Sequence, residues 1–288
     1  ENLNLFPADR GYFINSFIEN NVQKLPDKLF NHTPHLLSGH VIELQKSHRF
    51  SDEKGIGKFS KAIIQNKGEV MSDFFKNEDE QVEIDPHYSD KIFTEFIAGY
   101  KDFIEEKDIL ESLKKLNNLK VLCVIREGEQ GLYAINKRIE QYLVKQNLLR
   151  ITGDFYENRP IMITSNRYEL NLFNGDIGIV RYDENGELKV WFENNGELVP
   201  ISTSYISNAE TVFAMTIHKS QGSEFDQVLV ILPDIENLPL LTRELLYTGV
   251  TRAKRKVIVQ GKENTILAAA ESFVKRGSGI IQRFTNQS

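Results

Sequence analysis

The apolar positions Ile92, Phe93, Phe96, Ile97, Tyr100, Phe103 and Ile104 recur at steps of three and four residues, which predicts an amphipathic helix with one buried face. Downstream, VLCVI (121–125) is short, continuous and rich in β-branched residues, as a buried strand requires. After REGEQG, Leu132, Ile135, Ile139, Tyr142 and Leu143 return to helical spacing, so a strand feeds a helix through a polar turn. Between Pro160 and Ser202 the apolar runs shorten to IMIT, IGIV, LKVWF and ELVPI, separated by NGD, DENG and NNG, which reads as a small all-β barrel with tight turns. Past it, TVFAMTI, QVLVIL and KVIVQ read as buried strands, and LTRELLYTGVT and residues 265–274 as helices. An α/β pattern on both sides of a β segment predicts one α/β domain with a barrel inserted in it. Residues 1–39, Asn-rich and interrupted by Pro7, Pro26 and Pro34, are expected to form short helical pieces in irregular connections. Residues 72–90 carry many carboxylates against Lys76, and are expected to be a solvated loop.

Composition narrows the class. With 288 residues, 40% hydrophobic and 26% charged, the chain can bury a sizeable core and is no candidate for disorder. No apolar run reaches the roughly 18 residues of a bilayer span, and the first residues lack the basic flank and apolar run of a secretory signal. The only cysteine is Cys123, inside VLCVI, so no disulfide framework or cysteine-based zinc site is available and a reducing, cytoplasmic setting is expected. The net charge of −6 disfavours a purely electrostatic nucleic-acid binder, which leaves local clusters to decide.

Two clusters carry chemistry. Residues 212–232 place polar and small side chains between two buried strands, where α/β folds bind ligands. There His218, Lys219, Ser220 and Gln221 offer donors to phosphates or bases, and Gly222 allows a close backbone approach or a positive φ. In LLYTGVTRAKRK (245–256) an apolar helix face precedes Arg252, whose planar fork suits phosphate oxygens better than lysine does. Taken alone, the first could be a satisfied polar turn and the second a basic helix end. Arg126 in REGEQG stands at a helix entry, where amides and a guanidinium could hold a phosphate, although a helix-entry turn explains the glycines as well. His32, His35 and His40 lack the company of metal ligands, and IDPHYSDK (84–91) has the wrong order for a nuclease set, so no metal site is expected.

AMTIHKSQGSEFD followed by RELLYTGVTRAKRK resembles motifs V and VI of superfamily 1 DNA helicases, and is most similar to the RecD branch, the alpha subunits of bacterial exodeoxyribonuclease V. LQKSHRF (44–50) resembles motif IV, and the likeness extends to VLCVIREGEQGLYAINKRIEQYL, YENRPIMITSN and LFNGDIGIV. The resemblance implies a second RecA-like parallel-sheet motor domain with an inserted SH3-like β-barrel. It divides the chain into residues 1–40, the tail of a first motor domain or a linker; 41–150 and 211–288, the two parts of the second motor domain; and 151–210, the barrel. It implies 5′-to-3′ translocation on single-stranded DNA driven by ATP, in double-strand break repair and recombination. Matched position by position, Arg49 and Arg252 are expected at the ATP γ-phosphate, and Glu224 near the ribose or the arginines, with Gln221 and Gly222 beside it. Thr216, His218, Lys219 and Ser220, with Arg126, are expected to face DNA.

No G-x-x-x-x-G-K-[ST] occurs: GIGKF (55–59) lacks the upstream glycine and the hydroxyl after the lysine. ATP and Mg2+ are therefore expected to be held mainly by a preceding motor domain absent from this chain, and the fragment alone is expected to be inactive. Expected partners are that domain, single-stranded DNA, and the beta and gamma subunits of the exonuclease. A nucleic-acid-binding module that has lost the motor, or a RecD-type helicase working without those subunits, remain the alternatives.

Overall fold

A computed structural model describes residues 5–31, 50–51, 53–235 and 238–274. The chain forms two compact units, residues 1–50 and 51–288. In the first, strand β1 (Phe6–Pro7) runs into helix α1 (Ala8–Ser16), and β1 pairs in parallel with β2 (Phe30–Asn31). Gly11 lets the helix meet this pair, because a Cβ there would lie 2.3 Å from the Phe30 ring. The Asn15 side chain fastens the return, accepting from Leu25 N (2.7 Å) and donating to Leu25 O (2.8 Å). Arg49 and most of LQKSHRF lie outside the described residues, as do His32, His35 and His40.

The second unit is an α/β layer structure. Helices α2 (Gly55–Ile64) and α3 (Gly68–Lys76) precede β3 (Val82–Asp85). Helices α4 (Asp90–Ala98), α5 (Lys101–Glu105) and α6 (Ile109–Leu116) lead to β4 (Leu119–Cys123) and α7 (Leu132–Lys145). Strands β5 (Pro160–Ile163), β6 (Ile177–Tyr182), β7 (Leu188–Asn194), β8 (Glu197–Ser202) and β9 (Ala209–Thr211) follow. The chain then returns through β10 (Ala214–Thr216), β11 (Phe225–Ile231), α8 (Arg243–Val250), β12 (Ala253–Gln260) and α9 (Glu263–Glu271). The central sheet has the order β10-β4-β11-β12-β3, with every pairing parallel.

Parallel strands must be covered on both faces. Phe93, Phe96, Tyr100 and Phe103 of α4–α5 and Ile135 and Ile139 of α7 pack with Val121, Cys123, Leu229 and Ile231 of the sheet. Helices α2, α3, α8 and α9 pack together as the other layer, with α2 and α8 against β12. The continuous run at 92–104 is two helices, separated at Gly99, where a Cβ would come within 2.6 Å of Leu119.

The charged stretch 72–90 departs from a solvated loop. Part of it completes α3, and Val82–Asp85 is the edge strand β3, paired with β12. Asp85 is buried because its carboxylate accepts from His87 N (3.1 Å), Ser89 N (2.7 Å) and Gln260 Nε2 (2.9 Å). The inserted all-β segment is an antiparallel sheet of order β8-β7-β6-β5-β9 with its own core, including Ile161, Val180, Val190 and Phe192. Asn195 (φ 53°) and Gly196 (φ 85°) make the two-residue turn between β7 and β8, both in the left-handed region that a tight hairpin needs. Arg181 of β6 fastens this sheet to the main layer, donating from Nη2 to Phe103 O (2.9 Å), Ile104 O (3.3 Å) and Ser112 Oγ (3.1 Å).

Candidate functional site

Register places the two predicted clusters at opposite ends of the central sheet. Thr216, the last residue of β10, is level with Cys123, the last residue of β4, whereas β11 pairs Gln227 with Leu119, the first residue of β4. Residues 217–224 therefore carry the chain from the carboxyl edge back to the amino edge with no helix longer than a single 3₁₀ turn, His218–Ser220. Ile217 anchors the departure, its N–H donating to Cys123 O at 3.0 Å. Ser220 is fully buried and its hydroxyl donates to Ile217 O (2.7 Å), while Thr216 Oγ1 accepts from Lys219 N (3.4 Å). Gly222, at φ +89°, makes the reversal.

Thr216 and Ser220 thus shape the loop with their hydroxyls, while the side chains of His218, Gln221 and Glu224 are exposed. Lys219 is half-buried, with Nζ 2.5 Å from Asn174 Oδ1 in the NGD turn of the inserted sheet. That contact spans 45 residues, and nothing in the local pattern announces it.

At the amino edge, the Thr242 hydroxyl caps α8 by accepting from Leu245 N (3.4 Å), and the helix delivers Arg252 to the returning loop. Arg252 Nη1 donates to Ser223 O (3.0 Å), Nε donates to Thr248 O (3.1 Å), and Arg252 O accepts from Phe225 N (2.9 Å). The exposed Glu224 sits between the two loop residues so bound. An adjoining cavity of about 370 Å³ is lined by Asn117, Asp176, Glu193, Ser223 and Glu224 among others. Its carboxylates suit a cation or a hydrogen-bond donor better than a phosphate.

Arg126 lies beyond the carboxyl end of β4. Its Nε and Nη2 donate to the Tyr133 hydroxyl at 3.0 and 2.8 Å, and Nη2 pairs with Glu210 of β9. The Tyr133 hydroxyl first, and then the Glu210 charge, hold its pKa above the usual arginine value. The GEQG turn beneath it needs its last glycine, since a Cβ at Gly131 would lie 2.3 Å from Glu127 O. In the connection between β5 and β6, Tyr168 and Phe173 are 75% and 45% exposed and meet edge to face at 6.1 Å, so they are not core. Trp191 is half-buried, its indole N–H donating to Arg181 O at 3.3 Å.

A fully buried lysine underlies the crossover. Lys120 of β4 donates from Nζ to Val212 O (3.1 Å) and stands 5.5 Å from the centre of the Phe225 ring. Burial pushes its pKa down from 10.5 to about 7. Lys120 lies one residue before the VLCVI run, in a strand that starts at Leu119.

Residues 211–260, the stretch that holds the crossover and Arg252, match the family described as UvrD-like helicase C-terminal domain. RecBCD enzyme subunit RecD of Buchnera aphidicola (subsp. Acyrthosiphon pisum) is 34% identical over 267 residues, 86% of this chain and 44% of that protein. RecBCD enzyme subunit RecD of Mycobacterium tuberculosis is 35% identical over 248 residues, 84% of this chain and 42% of the relative. The ATP-dependent RecD2 DNA helicase of Deinococcus radiodurans is 29% identical over 57% of this chain and 23% of its own length. The chain spans about two fifths of the length of the RecD subunits it matches. Among solved structures, Pif1 helicase from Bacteroides in complex with ADP-AlF3 and ssDNA is 15% identical over 68% of this chain and 53% of its own, with a TM-score of 0.35. The C-terminal domain of a possible DNA helicase from Lactobacillus plantarum is 14% identical over 76% of this chain and 94% of its own, with a TM-score of 0.32. At 34–35% identity over about 85% of this chain, the RecD subunits, together with the helicase C-terminal family match, make the chain similar to the C-terminal portion of RecD.

Proposed function

We propose that this chain is the second motor half of a RecD-type, ATP-dependent 5′-to-3′ DNA helicase that acts in double-strand break repair and recombination. The observation that carries the reading is the crossover 217–224, with exposed His218 at one sheet edge and Arg252 bonded to its other end. In this reading His218 and Lys219 meet the DNA strand directly, Thr216 and Ser220 act by setting the loop's shape, and Gln221 stands on the nucleotide side with Gly222 and Glu224. Arg126 contributes a phosphate contact from its place between Tyr133 and Glu210. The inserted sheet is the SH3-like barrel, with Tyr168 and Phe173 as stacking surfaces.

ATP and Mg2+ supply phosphoryl transfer, which the residues of this chain fit only from one side. Arg252, with Arg49 as its proposed companion, offers a planar donor to phosphate oxygens, and Gly222 and Glu224 stand beside it. The phosphate-gripping loop would belong to a preceding motor domain, since the GIGKF segment forms the buried start of α2 and has no phosphate-loop pattern. An arginine that completes a phosphate site on another domain ties hydrolysis to closure of the two, and such fingers are worth about 10³–10⁵ in rate. The likeness to RecBCD subunits favours the beta and gamma exonuclease subunits as partners; the likeness to RecD2 favours a second reading, a helicase that works without them.

The test is phosphate release by the 288-residue chain and by the same chain joined to the upstream part of its gene product, each with and without single-stranded DNA. The chain alone should release none and the longer protein should be DNA-stimulated. Turnover by the chain alone above roughly 1 s⁻¹, the low end of ordinary enzyme rates, would overturn the reading.

A further inference from the structure

β10 is the edge strand of the central sheet and pairs only with β4 among the described residues. An edge strand leaves its outward N–H and C=O groups without a ladder partner, and buried groups of this kind must be satisfied by something else. Here the partner is one side chain. Asn136 of α7 accepts from Ala214 N at 2.9 Å through Oδ1 and donates to Ala214 O at 3.1 Å through Nδ2. The same Nδ2 also donates to Leu132 O (3.2 Å), one turn back along the helix. The residue is 6% exposed, so its carboxamide works away from water, where an unmade bond is most costly.

We propose that Asn136 is a positioning residue for DNA engagement: its carboxamide takes the place of a neighbouring strand at β10 and so fixes where the loop bearing His218 and Lys219 leaves the sheet. Ala214 is two residues before Thr216, whose hydroxyl holds Lys219 N, and the next residue, Ile217, is tied to Cys123 O. A shift of β10 along or away from β4 therefore displaces the 3₁₀ turn as a block. Asparagine is the side chain that offers one donor and one acceptor in the plane of a peptide group; aspartate keeps the acceptor for Ala214 N but turns a second oxygen toward Ala214 O, and leucine keeps the volume and neither bond. The proposal rests on the reading of residues 216–220 as the DNA-facing loop.

The experiment compares Asn136→Leu, Asn136→Asp, the core variant Leu143→Ala on the same helix, and the double variant His218→Ala with Lys219→Ala, all in the 288-residue chain. Affinity for a fluorescent oligo-dT is measured at one fixed salt concentration, because phosphate contacts are salt-dependent. Amide hydrogen exchange is followed over residues 213–221. Asn136→Leu should speed exchange there and weaken binding about tenfold, the weight of one or two ordinary hydrogen bonds. Asn136→Asp should follow with a smaller loss, and it decides the matter if the leucine variant does not fold. Leu143→Ala should lower the unfolding midpoint yet leave binding and local exchange as they were, which separates positioning from mere stability.

Unchanged exchange, or unchanged affinity in the folded Asn136 variants while the double variant loses it, overturns the proposal. If the double variant also binds as the parent does, the DNA assignment of the loop fails, and the role of Asn136 falls with it.

Discussion

Arg252 makes its two side-chain bonds through Nε and Nη1, one toward its own helix and one toward Ser223, which fixes the guanidinium plane while neither bond uses Nη2. Lysine has neither the plane nor the second nitrogen. If the proposed function holds, Arg252→Ala in the chain joined to its proposed partner motor domain should depress DNA-stimulated phosphate release by about 10³-fold or more, and Arg252→Lys should restore little of it. Retention of most activity by the lysine variant would show that a point charge suffices. Lys120 yields a prediction with a definite sign. Its pKa falls from 10.5 to about 7 on folding, so between those values the unfolded chain binds the extra proton. Stability therefore rises with pH across that window, by at most about 1.4 kcal/mol per unit, and is lost as the pH falls toward 7. Lys120→Met should flatten the dependence, as denaturant titrations at pH 7 and 9 would report; an unchanged slope would mean that the lysine is charged in the folded chain. Legibility differs sharply among these residues. The position of Arg252 after an apolar helix face could be read directly, and Gly222 announced its positive φ by its type. The inward turn of the Ser220 hydroxyl could not be read, because serine serves a loop's own backbone or a ligand with the same group.

Among the elements, the turn between β4 and α7 is the most constrained by its sequence. Gly131 N donates to Gly128 O at 3.0 Å, and the backbone of residues 126–127 passes so close that a methyl group has no room. Gly131→Ala should cost about 1–3 kcal/mol, the range of overpacked sites, as read from the urea midpoint, and the exposed Gly153→Ala, which meets nothing within 4 Å, should cost far less. Strands β4, β11 and β12 and helices α7, α8 and α9 were visible from periodicity alone, since long apolar runs and helical stripes are local properties. β3 was hidden because Val82 and Ile84 alternate with carboxylates, and what makes Val82–Asp85 a strand is the free edge of β12, formed by residues far along the chain. The break between α4 and α5 was hidden for a similar reason: the hydrophobic spacing runs unbroken across Gly99, and the close approach of Leu119 that leaves no room for a side chain there comes from outside the run.

On the scale of the second unit, the inserted sheet has its own core but also lends Ile179 of β6 to the larger one, where it packs with residues of α4–α7. Arg181 is the polar counterpart of that junction; burial draws its pKa below the usual arginine value, and three acceptors hold it. Arg181→Ala should let the two sheets unfold separately, visible as a lowered denaturant slope and a broadened transition, whereas a steep single transition would place the cohesion in the apolar contacts alone. The insertion itself was legible from its turns, but its attachment was not, because Arg181 reads as an ordinary outward-facing strand residue until its acceptors on α5 and α6 are seen. The crossover at 217–224 has a mechanical side as well. β10 and β11 flank β4, a five-residue strand about 17 Å long, so with two strand spacings of about 4.8 Å the connection spans about 20 Å, against a reach of about 24 Å for eight residues that include a 3₁₀ turn. Such a connection has little slack, so it behaves as a short rod rather than a cord: a residue or two of added length would leave both ends intact and still let each move without the other feeling it.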